Sequence, residues 1–361
     1  MQPNSEAQPS PRPLHVLGTT VPLREQARAQ AASPAIREHT LTPGEARDRL
    51  YLEHPIVIDG VFFATKPVRA AYEQLATCIT HRDSSRCFVA APRCGKTHAI
   101  EVLRGALGQV FPNLVIISIN AKGHDANTEK ALFGDMLDDV GLRFDERTTA
   151  FTRRQRFKQH IKTRCSQLDS SIVLLFIDEA QSWHEDEFTF LRDLANDLKK
   201  FDSITLIAAL FAQSKIVLTR SRLNAADRAD LVGRYLRDPI SLPGIQTLSD
   251  LEDVLRRCDD ASLHEYPDYS GVPYSEFFLP RAFASGWRLV WEAPMLWRHL
   301  IEQVGASANQ TVSIGMAWII SAIRDFLFQG TQVDTEDFVA SDAMWEAAVK
   351  CGRYSSLTNT I

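Results

Sequence analysis

Gly95, Lys96 and Thr97 stand together just after the short apolar run "RCFVAA" (86–91) and just before "THAIEVLRGALGQV", which has helical spacing. Those three residue types are suited to holding phosphate. Glycine lets the backbone pass close to phosphate oxygens, lysine supplies a point charge, and the threonine hydroxyl is a ligand for magnesium. A helix that starts at this point directs its free N–H groups and positive dipole end at the anion. The full pattern of such a loop is Gly, four residues, Gly-Lys-Thr. Here the positions read Ala90, Ala91, Pro92, Arg93, Cys94, Gly95, Lys96, Thr97, so alanine stands where glycine should open the turn. Alanine fills that place freely if its φ is negative and weakens the loop if φ is positive. Ala90, Pro92, Arg93, Cys94 and His98 complete the expected contact set.

A second motif lies some 80 residues on, where "VLLFIDEAQ" (173–181) places Asp178 and Glu179 directly after an apolar strand. A helix cap would account for one acid. Two acids, placed downstream of a Gly-Lys-Thr loop, fit a magnesium nucleoside-triphosphate site, with a triphosphate and Mg2+ as the expected ligands. Asp178 is expected to act with Thr97 in holding the metal, and Glu179 to orient and polarise the attacking water as general base. The next apolar run, "SITLIAALFA" (203–212), ends at Gln213 and Ser214. Gln213 is expected to sense the terminal phosphate or the water; Ser214 alone reads as a helix cap.

These groups need a scaffold that brings strand ends together. Near-continuous apolar runs at 86–91, 113–120, 171–178 and 203–212 alternate with helical segments at 127–141, 148–168 and 183–200. That pattern predicts an α/β unit, a parallel sheet flanked by helices on both faces. A further helix is expected from Pro67. After residue 247 the strands give way to helical stretches such as "PMLWRHLIEQVG" and "SIGMAWIISAIRDFLFQG", predicting an all-helical C-terminal lid domain. The late tryptophans, Trp287, Trp291, Trp297, Trp318 and Trp345, are expected to fill its core. Residues 1–43 are rich in Pro, Ser, Ala and Gln and read as a disordered N-terminal tail, with a short helix near "REQARAQAA". The expected domains are therefore 1–43, 44–246 and 247–361.

The formal net charge of −5 over 361 residues means that nucleic acid must meet a local basic patch. The six cysteines form no CxxC pair and no zinc-like spacing, which predicts reduced thiols. No secretion core and no run of 18 apolar residues occurs, so a cytoplasmic protein with no membrane partner is expected.

With these motifs in order, the chain resembles AAA+ ATPases. Within them it is most similar to the TniB/TnsC group of transposition ATPases, relatives of MuB. The likeness spans roughly 55–245 and is carried by "NTEKALFGDMLDDVGLRF" (127–144), "LLFIDEAQSWHEDEFTFLRDLANDLKKFDSITLIAALFAQ" (174–213) and "DRADLVGRYL" (227–236). Ala90 and Gln213 are its departures. The resemblance implies ATP bound between neighbouring subunits of a ring or helical oligomer, with an arginine reaching in trans to the γ-phosphate. Arg228 and Arg234 are candidates, and Arg234 is preferred over a reading as a plain surface arginine. Arg298 in the lid stands where a second sensor arginine would act in cis. The resemblance further implies double-stranded DNA and a transposase as partners.

"TRRQRFKQHIKTRC" (152–165) is the most basic stretch. It reads either as a solvated or subunit-contacting helix, or as a DNA phosphate contact through Arg153, Arg154 and Arg156. The loop after the second strand, with Lys122, His124 and Lys130, is a second nucleic-acid candidate. Two functions are therefore expected: a DNA-associated ATPase regulating transposition, or an AAA+ signalling or defence switch that acts through protein partners.

Overall fold

The computed structural model describes residues 32–305 and 312–351. Helices α1 (Pro34–Leu41), α2 (Glu45–Glu53) and α3 (Lys66–His81) lead into an alternating α/β unit. It runs β1 (Ser85–Val89), α4 (Lys96–Val110), β2 (Val115–Asn120), α5 (Glu129–Asp139), α6 (Ala150–Gln167), β3 (Ile172–Asp178), α7 (Glu185–Asp202), β4 (Thr205–Ala212), α8 (Ile216–Ala225), α9 (Ala229–Tyr235) and β5 (Ile240–Ser241). The helical lid follows as α10 (Leu248–Cys258), α11 (Tyr274–Phe278), α12 (Pro280–Ala284), α13 (Ala293–Val304), α14 (Met316–Thr331) and α15 (Asp342–Cys351).

The sheet has the order β2-β3-β4-β1-β5, with every pairing parallel. The strands read as unbroken apolar runs because both faces are covered. Val173, Leu175 and Ile177 of β3 enter the core under α5, α6 and α7, while Leu174 and Phe176 enter the one under α3 and α4. Register brings the strand ends level, with Val89 opposite Ala212 and Asn120 opposite Asp178. The carboxyl ends of β1, β3 and β4 thus share one edge, where open α/β sheets bind ligands. The sequence did not announce β5: it is two residues long and owes its place to pairing with Phe88 and Val89.

The N-terminal boundary differs from expectation. Residues 1–31, including nearly all of the expected short helix, lie outside the described residues, but α1 falls inside the segment read as a tail. Pro34 opens it at a position where a missing N–H costs nothing. Arg37 fastens it to the lid, donating to the Gly271 carbonyl at 2.8 Å and pairing with Glu276. The segment from α1 to Phe63 belongs to the lid's core: Ile56, Val61 and Phe63 are buried with Leu251, Phe277 and Ile323, and Leu41, Leu50 and Tyr51 pack against them. His54 is enclosed by the rings of Tyr266, Tyr274, Phe277 and Phe278. Burial pushes its imidazole down to about 3, so it stays neutral there.

Within the lid, Trp345 stacks on Phe326 at 3.8 Å, and the buried Glu292 accepts both the Trp287 and Trp345 indole N–H, at 3.0 and 3.2 Å. Trp291 departs from the expected core placement. It sits in a 3-10 turn with its side chain outward, 64% exposed.

Candidate nucleotide site

β1 delivers the phosphate-type loop. Ala90 continues the strand's ladder, its N–H donating to the Ala212 carbonyl at 2.9 Å, and it is buried. Its φ is not positive, so the methyl group meets no left-handed penalty at the position where glycine was expected. The turn's unusual conformations fall later, on Arg93 (φ 59°) and on Gly95 (φ 90°), which caps α4. Only Gly95 occupies that region freely. Arg93 and Pro92 are exposed, and Cys94 is turned inward, with burial raising its thiol.

Lys96, only 6% exposed, reaches across to β3 and lies 3.1 Å from Glu179 Oε1. The Thr97 hydroxyl donates to Asp178 Oδ2 at 2.7 Å, and the other Asp178 oxygen accepts the Glu179 N–H at 2.8 Å. The two motifs, far apart in sequence, therefore meet in space. Thr97 and Asp178 offer adjacent hard oxygens, the donor type magnesium takes when phosphates supply its other ligands. Among the described residues no cluster of three or more His, Cys, Asp and Glu could hold a metal without such help.

Glu179 takes a left-handed conformation, φ 53°. Its Oε2 accepts the Gln213 side-chain amide at 3.1 Å and also the amide of Gln181. Burial raises its carboxyl. The Gln181 amide, the Lys96 ammonium and the Gln213 amide more than offset this and hold it below the ordinary carboxylate range. Gln213, expected to sense the terminal phosphate or the water, thus stands beside Glu179. Gln181 was not singled out in the sequence, although it lies in the same "DEAQ" run.

An open cavity of about 210 Å³ is lined by Asp59, Arg93, Gly95, Lys96, Thr97, His98, Glu179, Met316, Ala317 and Ile320. A narrower apolar slot adjoins it, walled by Val61, Phe63, Val68, Leu242, Ile245 and Met316 and sharing His98 and Gly95. The lid's contribution comes from α14. Its Met316 and Ile320 are one helical turn apart, and Arg324, a further turn on, approaches Asp59 at 3.9 Å. The i, i+4 spacing in "GMAWIISAIR" is the signal that could have named this face.

Arg298 does not join the site. It lies on α13, half exposed, paired with Asp342 of α15 and next to Glu302, and it lines neither cavity. Arg228 is held by Glu185 and Asp230. Arg234 donates to Asn196 at 2.8 Å, while its carbonyl accepts hydroxyls from Ser84 and Ser85 at the opposite end of β1 from the phosphate loop. Within one chain it is remote from Lys96.

The basic helix is largely neutralised from within, so of its two readings the DNA-contact one loses Arg153 and Arg154, which are already engaged. Arg153 is buried: it donates to the carbonyls of Lys130 and Glu146 and lies 4.0 Å over the Phe144 ring. Arg154 bridges Glu129 and Asp197, and Lys158 and Lys162 share Asp202. Arg156 remains exposed, bonded only to the Arg143 carbonyl. In the other candidate loop Lys122 and His124 meet Asp135, whereas Lys130 is exposed.

The AAA domain family profile matches residues 80–216. No curated protein matches the chain. Among solved structures, the chain is similar to the Aeropyrum pernix ORC2 protein in its ADPNP-ADP complexes, with a TM-score of 0.56 and 14% identity over 84% of this chain and 72% of that one. The ADP form of the same protein gives a TM-score of 0.53 at 12% identity, with the same coverage. The fold is therefore the AAA+ P-loop arrangement with a helical C-terminal region. No helix among the described residues is long and apolar enough to cross a membrane.

Proposed function

We propose that this chain is a magnesium-dependent ATP hydrolase that works as an assembly switch on double-stranded DNA. One observation carries the reading: Lys96–Glu179 and Thr97–Asp178 meet at 3.1 and 2.7 Å on the edge where β1, β3 and β4 end. Lys96 and the N–H groups of the loop hold the terminal phosphates. Thr97 and Asp178 would hold a magnesium ion, which would supply positive charge to the phosphate oxygens. Glu179 takes a proton from water as its oxygen bonds to the γ-phosphorus and the bond to the β-phosphate oxygen breaks. Gln213 fixes Glu179 and reports on the terminal phosphate. The A. pernix protein similar in fold is itself seen with ADPNP and ADP, which supports a nucleotide here.

The finer reading is transposition. ATP drives assembly into a ring or filament on target DNA, the assembly recruits a transposase, and hydrolysis releases it. Support comes from the resemblance to TniB/TnsC ATPases, and from Lys130, Arg156 and Arg164, cations of the two candidate stretches left exposed and free of carboxylates. Arg234, remote from its own chain's site, is the arginine offered to a neighbour.

Glu179→Gln should keep ATP binding and slow hydrolysis by about 100-fold or more, the typical worth of a general base. Unchanged turnover would defeat the assignment. Electron microscopy with duplex DNA and a slowly hydrolysed ATP analogue should show nucleotide-dependent assemblies. Hydrolysis that ignores DNA, with no assemblies, would favour the switch acting through protein partners.

A further inference from the structure

Gln181 closes a small circuit around Glu179. It sits in the 3-10 turn Ala180–Ser182 that follows β3, directly after Glu179 adopts its left-handed conformation. A non-glycine residue rarely adopts that conformation, so neighbouring groups must hold it in place. The main-chain N–H of Gln213, the first residue beyond β4, donates to Gln181 Oε1 at 2.8 Å. That bond decides which way the Gln181 amide faces, because the oxygen is taken and the NH2 must point the other way. There it donates to Glu179 Oε2, the same oxygen that Gln213 reaches with its own amide at 3.1 Å. Lys96 holds Oε1. Since Lys96 is also the loop's phosphate-binding cation, a triphosphate draws it away, and the two glutamines are then the groups that aim the carboxylate.

We propose that Gln181 is a positioning residue for ATP hydrolysis, tying the end of β4 to Glu179 so that the carboxylate keeps its direction when Lys96 turns to phosphate. This rests on the reading of Glu179 as the base. Gln181 does not line the cavity; it acts through Glu179 and through the backbone of Gln213.

The test is a double-mutant cycle on the full chain, with Gln181→Ala, Gln213→Ala and the pair, reading kcat and KM for ATP together with the affinity for a fluorescent ATP analogue. Gln181→Ala should lower kcat about tenfold, the equivalent of one lost hydrogen bond, while affinity stays within about twofold. Gln213→Ala keeps the backbone N–H that orients Gln181, so the double variant, which loses both donors to Oε2, should fall below either single variant. The proposal is overturned if Gln181→Ala keeps kcat within about twofold of the parent, if affinity and kcat fall together, or if the double variant is no slower than Gln213→Ala alone. Gln181→Glu, of the same length, carries the test if the alanine variant fails to fold: its carboxylate cannot donate to Glu179, and kcat should again drop while affinity holds. A parent chain with no ATPase activity, or with activity unchanged in Glu179→Gln, defeats the underlying site reading instead.

Discussion

Replacing Arg153 by alanine separates two meanings of a basic helix. If the guanidinium is a structural group, its loss is felt in stability; if it meets DNA, in the salt dependence of binding. The side chain is only 7% exposed and lies against Gly134 of α5, where an added Cβ would come within 2.5 Å of its Nη1. It makes two charge-assisted hydrogen bonds, at 3.1 and 3.3 Å, and covers the Phe144 ring. Each bond is long for its type, so about 1 kcal/mol apiece is a fair figure, with about 1 kcal/mol more for a desolvated cation over a ring. The variant should therefore lose roughly 3 kcal/mol, or about 6–12 °C in melting temperature for a domain of this size. Urea unfolding and thermal melts measure it. Gly134→Ala, which pushes the same guanidinium aside, should destabilise in the same direction. A loss under about 0.5 kcal/mol would refute the argument, since that is the range of ordinary surface substitutions. So would a drop of about 0.9 in the slope of log affinity against log salt for duplex DNA, the signature of one lost phosphate contact.

Other consequences can be measured directly. Gly315→Ala should weaken nucleotide affinity and lower the melting temperature, because a Cβ there comes within 2.5 Å of the Arg93 carbonyl in the phosphate loop. Arg298→Ala, which breaks only partly exposed pairs, should leave nucleotide affinity within about twofold and cost under about 1 kcal/mol. Glu292→Gln should cost about 1–3 kcal/mol, since one amide oxygen cannot replace a carboxylate that accepts two buried indole N–H groups. Native thiol titration should find one fast-reacting cysteine, Cys351: the other five are buried, and burial pushes Cys78 up to about 11 and Cys87 up to about 12. Unfolding should release all six.

The candidate site's side chains were legible because their signals are local. A strand buried on both faces is an apolar run, and two acids at its end stand out against it. The candidate phosphate loop is likewise one short stretch, and Ala90 meets no left-handed backbone penalty there because its φ is not positive. What the sequence hid depends on long-range pairing. Arg154 is matched by Glu129 and Asp197, 25 and 43 positions away, and Arg298 by Asp342, 44 positions away. A run of arginines looks free until such partners fold against it. The lid helix that lines the cavity differs from the one expected for a similar reason: α13 carries the more conspicuous arginine, but α14 meets the loop. Gln181 escaped notice because its importance lies in a bond to the backbone of Gln213, which no residue type announces.

The helical unit is assembled from both ends of the chain, with the sheet inserted between residues 63 and 245. The first and last described helices therefore ride on the same body. Any tilt of that body against the sheet carries residue 34 and residue 351 along together, so cargo tethered at either end would register the same stroke. The chain is in this sense a loop with one handle, and cutting it at residue 246 would split the handle rather than detach it.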